Sequence, residues 1–279
     1  MKRPIFNEQT EQDLHGLVEH LPHALGLYGD KGVGLLTAAR HLVDMAGGQM
    51  IPVYPERSGV IDREAGYISI AAVQRLYTLT QGKSKTRRCF VMIGADTMTS
   101  QAQNAFLKLL EEPTRNTTFI LLTHQPELLL ATVRSRLQMQ RIIPLSQEQS
   151  MVLLDRLNVH DATQRQQLLF LASGLPAQLT RLAQSDTEFE AEASLLRQAR
   201  SFVQGTTYDK LVIAHAVKNS RADARRIIVH AVNLIKRDVT AKTAVDDTII
   251  LLLLRLEQAL KRIDGNGNIR LALASVATG

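Results

Sequence analysis

Short apolar runs alternate with helical patterns from residue 1 to about residue 146. HALGLY, CFVMIG and TTFILLT are bounded by polar residues, as is typical of strands covered on both faces, and MIPVYPE and RIIPL indicate two further strands. LLTAARHLVDMA has helical spacing, as do Ala102, Ala105, Phe106 and Leu109, and Pro113 closes that second helix. This alternation predicts an α/β domain with a parallel sheet.

From about residue 147 onward the patterns are helical only. SQEQSMVLLDRL, ATQRQQLLFLAS and PAQLTRLAQ predict the three helices of a small unit. A larger helical block is predicted from EFEAEASLLRQARSFVQG, YDKLVIAHAV, RADARRIIVHAVNLIKRDV, AVDDTIILLLLRLEQALKRI and IRLALASVA. The run from Ile249 to Leu254 is apolar all round, so we expect that helix to be buried at the centre of a bundle. These patterns predict three domains, residues 1–146, 147–186 and 187–279.

Composition favours helices and aliphatic cores, because the chain is 45% hydrophobic, only 4% aromatic and free of tryptophan. Its 279 residues suffice for two or three domains with cores of their own. The net charge of +6 fits two interpretations equally well, a partner rich in phosphate or a solvated surface. Charge alone therefore does not predict a nucleic-acid partner.

The single cysteine, Cys89, excludes an internal disulfide and a zinc site built from several thiolates. It lies in the apolar run CFVMI, which favours packing inside a strand over a reactive thiol.

The N-terminal segment has two positive charges but no apolar stretch behind them. The run from Ile249 to Leu254 is far shorter than the ~20 residues that span a bilayer. We therefore expect a cytoplasmic protein without a membrane partner.

The stretch GDKGVGLL, residues 29–36, has the glycine spacing of a phosphate-binding loop. Such a loop reads G-x-x-x-x-G-K-[ST], where backbone N–H groups wrap the phosphates, the lysine reaches them and the hydroxyl holds Mg²⁺. Gly29, Gly32 and Gly34 fit this spacing, but Leu35 and Leu36 stand at the lysine and hydroxyl positions. We interpret the stretch as a degenerate loop, kept as a strand-to-helix turn, whose leucines pack into the space of the lost nucleotide.

The middle of the chain, GADTMTSQAQNAFLKLLEEPTRNTTFILLTHQPELLLATVRSRLQ, resembles the clamp-loader branch of the AAA+ family. The residues that fall in register with its signature are Ala95, Asp96, Met98, Ala102, Asn104, Ala105, Leu107, Lys108, Leu110, Glu111, Glu112, Pro113, Phe119, Leu121, Thr123, Thr132, Ser135 and Arg136. The departures are Gly94, Phe106, Thr114 and Leu137. The resemblance implies a P-loop-type α/β domain, a small helical lid and a C-terminal helical collar through which subunits assemble, and NGNIRLAL is similar to the end of such a collar.

The resemblance also shows what the positions for ATP hydrolysis contain. Ile93 and Gly94 occupy the places of the Walker B acidic pair, which would hold Mg²⁺ and orient water. Gln178 in GLPAQL stands where the family has its second sensor arginine. Thr123 fits the first sensor, although threonine is also common at strand ends, and Asp96 is interpreted as a helix N-cap or a turn residue. We therefore expect no hydrolysis, no bound cofactor and no metal in this chain.

Ser135 and Arg136 match the family's S-R-C tripeptide, which is implied to begin a helix that faces the neighbouring subunit. Its arginine reaches into that neighbour's ATP site, where a planar, fully ionised cation stabilises the charge that develops on the γ-phosphate. The alternative is that Arg136 is a solvated charge beside Arg134. Leu137 replaces the family's cysteine by another apolar residue, so we expect the arginine to keep its placement.

The implied function is that of a non-catalytic subunit of the bacterial DNA polymerase III clamp loader. It would assemble with ATP- and Mg²⁺-binding gamma/tau subunits and a delta subunit, and the ring would set the sliding clamp on primer–template DNA. Candidate DNA contacts, for which a solvated surface is the alternative, are Lys83, Lys85, Arg87, Arg88 and Lys108. An active gamma/tau-type ATPase and a purely structural scaffold remain the alternative functions.

Overall fold

A computed structural model describes residues 3–63, 65–82, 84–112, 114–172, 174–240 and 247–277. The chain divides into two compact units, Met1–Gln184 and Ser185–Gly279. The three domain boundaries drawn from the sequence stay predictions. Among the described residues, no helix has both the length and the apolar character that crossing a membrane requires.

The first unit alternates strands and helices. Its strands are β1 (Ala24–Tyr28), β2 (Gln49–Val53), β3 (Glu56–Arg57), β4 (Val60–Ile61), β5 (Arg88–Ile93), β6 (Thr117–Thr123) and β7 (Gln138–Arg141). Its helices are α1 (Glu8–Glu19), α2 (Leu35–Met45), α3 (Ile70–Thr80), α4 (Ser100–Glu111), α5 (Ala131–Arg134), α6 (Gln147–Arg156), α7 (Ala162–Ala172) and α8 (Pro176–Gln184). Short 3₁₀ turns cover Ala95–Thr97 and Pro126–Leu128.

Five of these strands form one parallel sheet in the order β2-β5-β6-β1-β7, and β3 and β4 form a separate antiparallel hairpin. Every residue of β6 is buried, because helices cover both faces of this central strand. Phe119 packs with α4 and α5 residues on one face, where its ring lies 5.2 Å from that of Phe106, and Ile120 packs with α2 on the other. The predicted α/β fold with a parallel sheet is confirmed.

The last strand is displaced from its prediction. RIIPL was expected to form it, whereas β7 covers Gln138–Arg141 and pairs with β1 from Leu25↔Gln138 to Tyr28↔Arg141. The strand lies at the edge of the sheet and is only partly buried, so it carries no apolar run. Backbone pairing, which side-chain patterns do not report, sets its position. Pro113, expected to close α4, lies outside the described residues.

The second unit is helical throughout the described residues. It contains α9 (Asp186–Gln204), α10 (Thr207–Ala216), α11 (Arg221–Thr240), α12 (Asp247–Asp264) and α13 (Ile269–Ala277). Its apolar core joins all five helices, and the predicted helical character is confirmed. In that core Glu192 accepts a 2.7 Å hydrogen bond from the Nε2 atom of His230 and is also paired with Arg226.

The run from Ile249 to Leu254 was expected to be buried centrally, and this expectation is wrong. Ile250, Leu251 and Leu254 are 45%, 52% and 50% exposed. The core face of α12 is set further along, by Leu256, Ala259 and Ile263, which recur at helical spacing and are fully buried. The N-terminal half of α12 therefore presents apolar side chains outward.

Candidate functional site

The glycine turn, residues 29–34, connects β1 to α2. Gly32 and Gly34 both have φ of 94°, in the left-handed region that side chains other than glycine rarely adopt. Gly29 is needed for a different reason, since a Cβ atom there would lie 2.6 Å from the carbonyl oxygen of Ile142. The turn is thus demanded by the backbone path, with or without a ligand.

Residues of the chain itself lie against this turn. The N–H of Ala177 donates to the carbonyl of Gly32 at 2.9 Å, and a Cβ atom at Gly32 would lie 3.1 Å from the Cβ of Gln178. Leu35, at the lysine position, is 5% exposed and packs in the core beneath α2, while Leu36 is partly buried against the same core. Neither leucine offers the charge or the hydroxyl that a triphosphate and Mg²⁺ require.

The end of β6 lies beside the glycine turn, because Thr123 is the register partner of Tyr28. The hydroxyl of Thr123 is fully buried and accepts a 3.1 Å hydrogen bond from the N–H of Gln125. The next residue, His124, donates from Nδ1 to the carbonyl of Gly29 at 2.8 Å. Sequence reasoning missed His124, whose only signal is its place directly after the sensor-like threonine.

Asp96 lies in the 3₁₀ turn that follows β5. Of the two interpretations drawn from the sequence, the turn residue is confirmed and the helix N-cap is wrong, because Thr99 caps α4 with a 3.1 Å hydrogen bond from the N–H of Ala102. The Oδ1 atom of Asp96 is buried without a hydrogen-bond partner among the described residues. Gly94, at a Walker B place, has φ of 68° and begins this turn.

The Arg136 corner, by which we mean Glu111, Thr132, Ser135 and Arg136, lies where α4 ends beside α5. Ser135 is the C-cap of α5, and Arg136 leads on to β7, so the tripeptide ends a helix and does not begin one. The Nη1 atom of Arg136 donates to the carbonyl of Thr132 at 2.9 Å, and Nη2 donates to Oε1 of Glu111 at 2.7 Å. The Ser135 hydroxyl also donates to the Thr132 carbonyl, at 3.1 Å.

Solvent reaches this corner, since the side chains of Arg136 and Glu111 are 37% and 51% exposed. Two neighbours of Ser135 and Arg136 in sequence are fixed in the core: Val133 is fully buried and Leu137 is 8% exposed. The guanidinium therefore projects from a rigid segment while keeping access to solvent. An arrangement of this kind can present a cation to an anionic group outside the chain.

A buried amide fastens the chain that leads into α5. Gln103 is 3% exposed, and its Nε2 atom donates to the carbonyls of Met98 and Leu128 at 3.2 and 3.1 Å. Its Oε1 atom accepts a 2.6 Å hydrogen bond from the N–H of Leu130, one residue before α5. Sequence reasoning missed Gln103, although its helical spacing with Phe106 and Leu110 placed a polar residue on the apolar face.

The candidate DNA contacts differ in their surroundings. Arg88 donates to the carbonyls of Leu79, Thr80 and Gly82 at 2.7, 3.2 and 2.8 Å, so its guanidinium caps the C-terminal end of α3. Lys85 and Lys108 are exposed and Arg87 is partly exposed. Lys83 lies outside the described residues.

Cys89 is fully buried in β5, and burial raises the pKa of its thiol to about 11. A protonated, inaccessible sulfur is unreactive, as the sequence predicted. Within the described residues, no group of three or more histidine, cysteine, aspartate or glutamate side chains could hold a metal ion.

Residues 55–146 match the model of the family described as "DNA polymerase III, delta subunit". Over 129 residues the chain is 32% identical to the DNA polymerase III subunit delta' of Bacillus subtilis, a match that covers 46% of this chain and 38% of the relative. It is 34% identical over 132 residues to the delta' subunit of Escherichia coli, covering 46% of this chain and 37% of the relative. The matched part thus spans well under two thirds of either relative.

Two solved structures share the fold. A DNA polymerase III gamma subunit-related protein of Thermotoga maritima has a TM-score of 0.53 and 17% identity, with 97% of each chain covered. The RuvB Holliday junction branch migration motor of the same organism has a TM-score of 0.51 and 14% identity, covering 84% of this chain and 80% of its own. The sequence relatives that match are DNA polymerase III delta' subunits, so the resemblance drawn from the residues between Ala95 and Arg136 is confirmed.

Proposed function

We propose that this chain, related to bacterial delta-prime subunits, is a clamp-loader subunit that does not hydrolyse ATP and supplies Arg136 to the ATP site of a neighbouring subunit. One observation carries the proposal. The Arg136 guanidinium is exposed on a rigid segment, inside the part of the chain that matches the delta-subunit family. A cation supplied in this way can raise the rate of phosphoryl transfer by ~10³–10⁵.

The absence of ATPase activity is supported by the residues at the glycine turn. Leu35 points into the core, Gln178 lies against Gly32, and the Walker B places hold Ile93 and Gly94. These residues do not fit a bound ATP and Mg²⁺, since lysine, hydroxyl and acidic pair are all replaced. ATP and Mg²⁺ would be bound by the neighbouring subunit, where Arg136 would stabilise the charge that develops on the γ-phosphate.

The partners follow from the same proposal. Gamma/tau and delta subunits would assemble with this chain through its C-terminal helices, where Ile250, Leu251 and Leu254 offer an uncovered apolar face. The complete loader would act on the sliding clamp and on primer–template DNA. Lys85, Arg87 and Lys108 remain candidate contacts for the DNA backbone, whereas the hydrogen bonds of Arg88 favour a structural role for that residue.

The test is an Arg136→Ala variant in a loader reconstituted with the gamma-type and delta subunits of the same organism. We expect an assembled complex whose clamp- and DNA-stimulated ATP turnover falls by at least about a hundredfold at the affected site. Arg134→Ala is the matched control, because Arg134 is an exposed arginine two residues away. Turnover that is unchanged in Arg136→Ala would favour the scaffold function instead.

Binding of a labelled ATP analogue by the isolated chain separates the proposal from an active gamma/tau-type ATPase. We expect no Mg²⁺-dependent binding at concentrations that saturate the gamma-type subunit. Binding of the analogue at the glycine turn, followed by hydrolysis, would contradict the proposal.

A further inference from the structure

We propose that Glu111 is an internal counter-ion that occupies the Arg136 guanidinium until a phosphate group of the neighbouring subunit replaces it. This inference rests on the proposed function, because it describes how Arg136 reaches the triphosphate. It assigns a role to a carboxylate at the end of α4, whereas the arginine follows α5, 25 residues away in sequence.

The contacts of the guanidinium leave room for such an exchange. Within the part of the chain that the structure describes, two of its five N–H groups are used, one by the Thr132 carbonyl and one by Oε1 of Glu111. The Glu111 carboxylate is 51% exposed, so it can swing into solvent without losing buried contacts. A phosphate approaching from solvent would therefore meet free donors first and could then displace the carboxylate.

The ion pair between Arg136 and Glu111 is weak enough for Glu111 to be replaced. Ion pairs between exposed side chains contribute little, since both groups are well solvated when they separate. The terminal phosphate group of a triphosphate bears more negative charge than a carboxylate group, and its oxygens accept paired hydrogen bonds from a guanidinium in a site that excludes water. The like charges of carboxylate and triphosphate repel each other, so binding of the phosphate favours the departure of Glu111 from Arg136.

Placement of the arginine does not depend on the charge of Glu111. The Thr132 carbonyl holds Nη1 from within α5, and the buried amide of Gln103 fixes the residues that precede this helix. Both groups are uncharged, and neither competes with a phosphate. Removing the charge of Glu111 while keeping its shape should therefore free Arg136 without displacing it.

The experiment compares Glu111→Gln with Glu112→Gln in the reconstituted loader. The two variants make the same change at adjacent exposed positions, but the ion pair to Arg136 is formed by Glu111. We expect Glu111→Gln to raise clamp- and DNA-stimulated ATP turnover two- to fivefold at low ionic strength, because a larger fraction of Arg136 is free to engage. The gain should shrink as salt screens the pair, and Glu112→Gln should match the unmodified chain.

Measurements with Arg136→Ala distinguish a failure of the counter-ion role from a failure of the proposed function. If the inference holds, Glu111→Gln has no effect on turnover in that background, because the arginine through which it acts is gone. If Arg136→Ala lowers turnover but Glu111→Gln equals Glu112→Gln or lowers turnover further, the counter-ion role is refuted and the proposed function stands. If Arg136→Ala leaves turnover unchanged, the proposed function itself fails.

Discussion

The glycine turn and the Arg136 corner belong to opposite faces of one sheet. Other residues of the chain pack against the turn, whereas the guanidinium of the corner is exposed to solvent. The turn leads into α2, on the face where Leu35 and Leu42 pack, and residues at the start of α8 lie against it. The corner follows α4, on the face where Phe106 and Val133 pack, and its guanidinium stays in solvent. The backbone path of the turn is thus present with leucines at the lysine and hydroxyl positions, while a single exposed cation needs only a rigid support.

The glycine turn and the Arg136 corner also differ in which residues of the sequence hold them in place. The turn depends on local backbone geometry, which glycines at φ of 94° provide, and the distant residues His124 and Ala177 add hydrogen bonds to its carbonyls. The corner depends on residues 25 to 27 positions apart, Glu111 with Arg136 and Gln103 with Leu130. We therefore expect the corner to be sensitive to substitutions in the core and in α4, and the turn to respond to changes beside it.

The largest effect is expected from Phe119→Ala, which removes a fully packed ring from the face that supports the corner. Phe119 contacts both Phe90 and Phe106, with ring centroids 5.7 and 5.2 Å away. The cavity should lower the free energy of unfolding by about 3–5 kcal/mol, as measured by denaturant titration. Ile120→Ala, one position along the same strand, removes a side chain from the face of the glycine turn and is the matched comparison.

A smaller effect is expected from Gln103→Leu, which keeps the volume of the side chain but leaves the N–H of Leu130 and the carbonyls of Met98 and Leu128 without partners. A buried backbone group that loses its hydrogen-bond partner destabilises the fold, and we expect the free energy of unfolding to fall by about 1–3 kcal/mol. Gln101→Leu, at an exposed position of the same helix, should change stability by less than about 0.5 kcal/mol.

The effect of Gln103→Leu on ATP turnover tests whether the buried amide supports the Arg136 corner. Gln103→Leu should lower ATP turnover of the reconstituted loader through a misplaced Arg136, and the addition of Arg136→Ala should cause no further loss. A Gln103→Leu loader with normal turnover and a destabilised chain would show that the amide stabilises the core without positioning the arginine.

Most of the fold could be predicted from periodicity, and the failures have physical reasons. TTFILLT and the helices of the second unit repeat apolar residues at the spacing that burial imposes. β7 was displaced because an edge strand is fixed by backbone pairing to β1, and the outward face of α12 was missed because apolarity does not tell which molecule covers a residue. Glu111 and Gln103 escaped prediction as partners of the corner because their contacts are tertiary.

The glycine turn offers a test of whether α8 really constrains it. Gly32→Ala forces a side chain into φ of 94° and towards Gln178, whereas Gly47→Ala meets a φ of 63° with nothing within 4 Å of the new Cβ. We expect Gly32→Ala to cost about 1–3 kcal/mol and Gly47→Ala to lie at the lower end of that range. If both variants lose the same stability, neither the larger φ of Gly32 nor its contact with Gln178 adds to the cost.

The smallest effect concerns Cys89, whose sulfur reports whether a variant disturbs the sheet between the two regions. Cys89 packs on the face of the glycine turn, and the next residue, Phe90, packs on the face of the corner. Since burial raises the pKa of the thiol to about 11, the thiolate is scarce at pH 8, and a thiol reagent should label the native chain at least about a hundredfold more slowly than the denatured chain. Gly32→Ala and Gln103→Leu should both preserve this protection if their effects are local. Rapid labelling of either variant under native conditions would mean that the sheet has opened, and its functional defect could then no longer be assigned to one region.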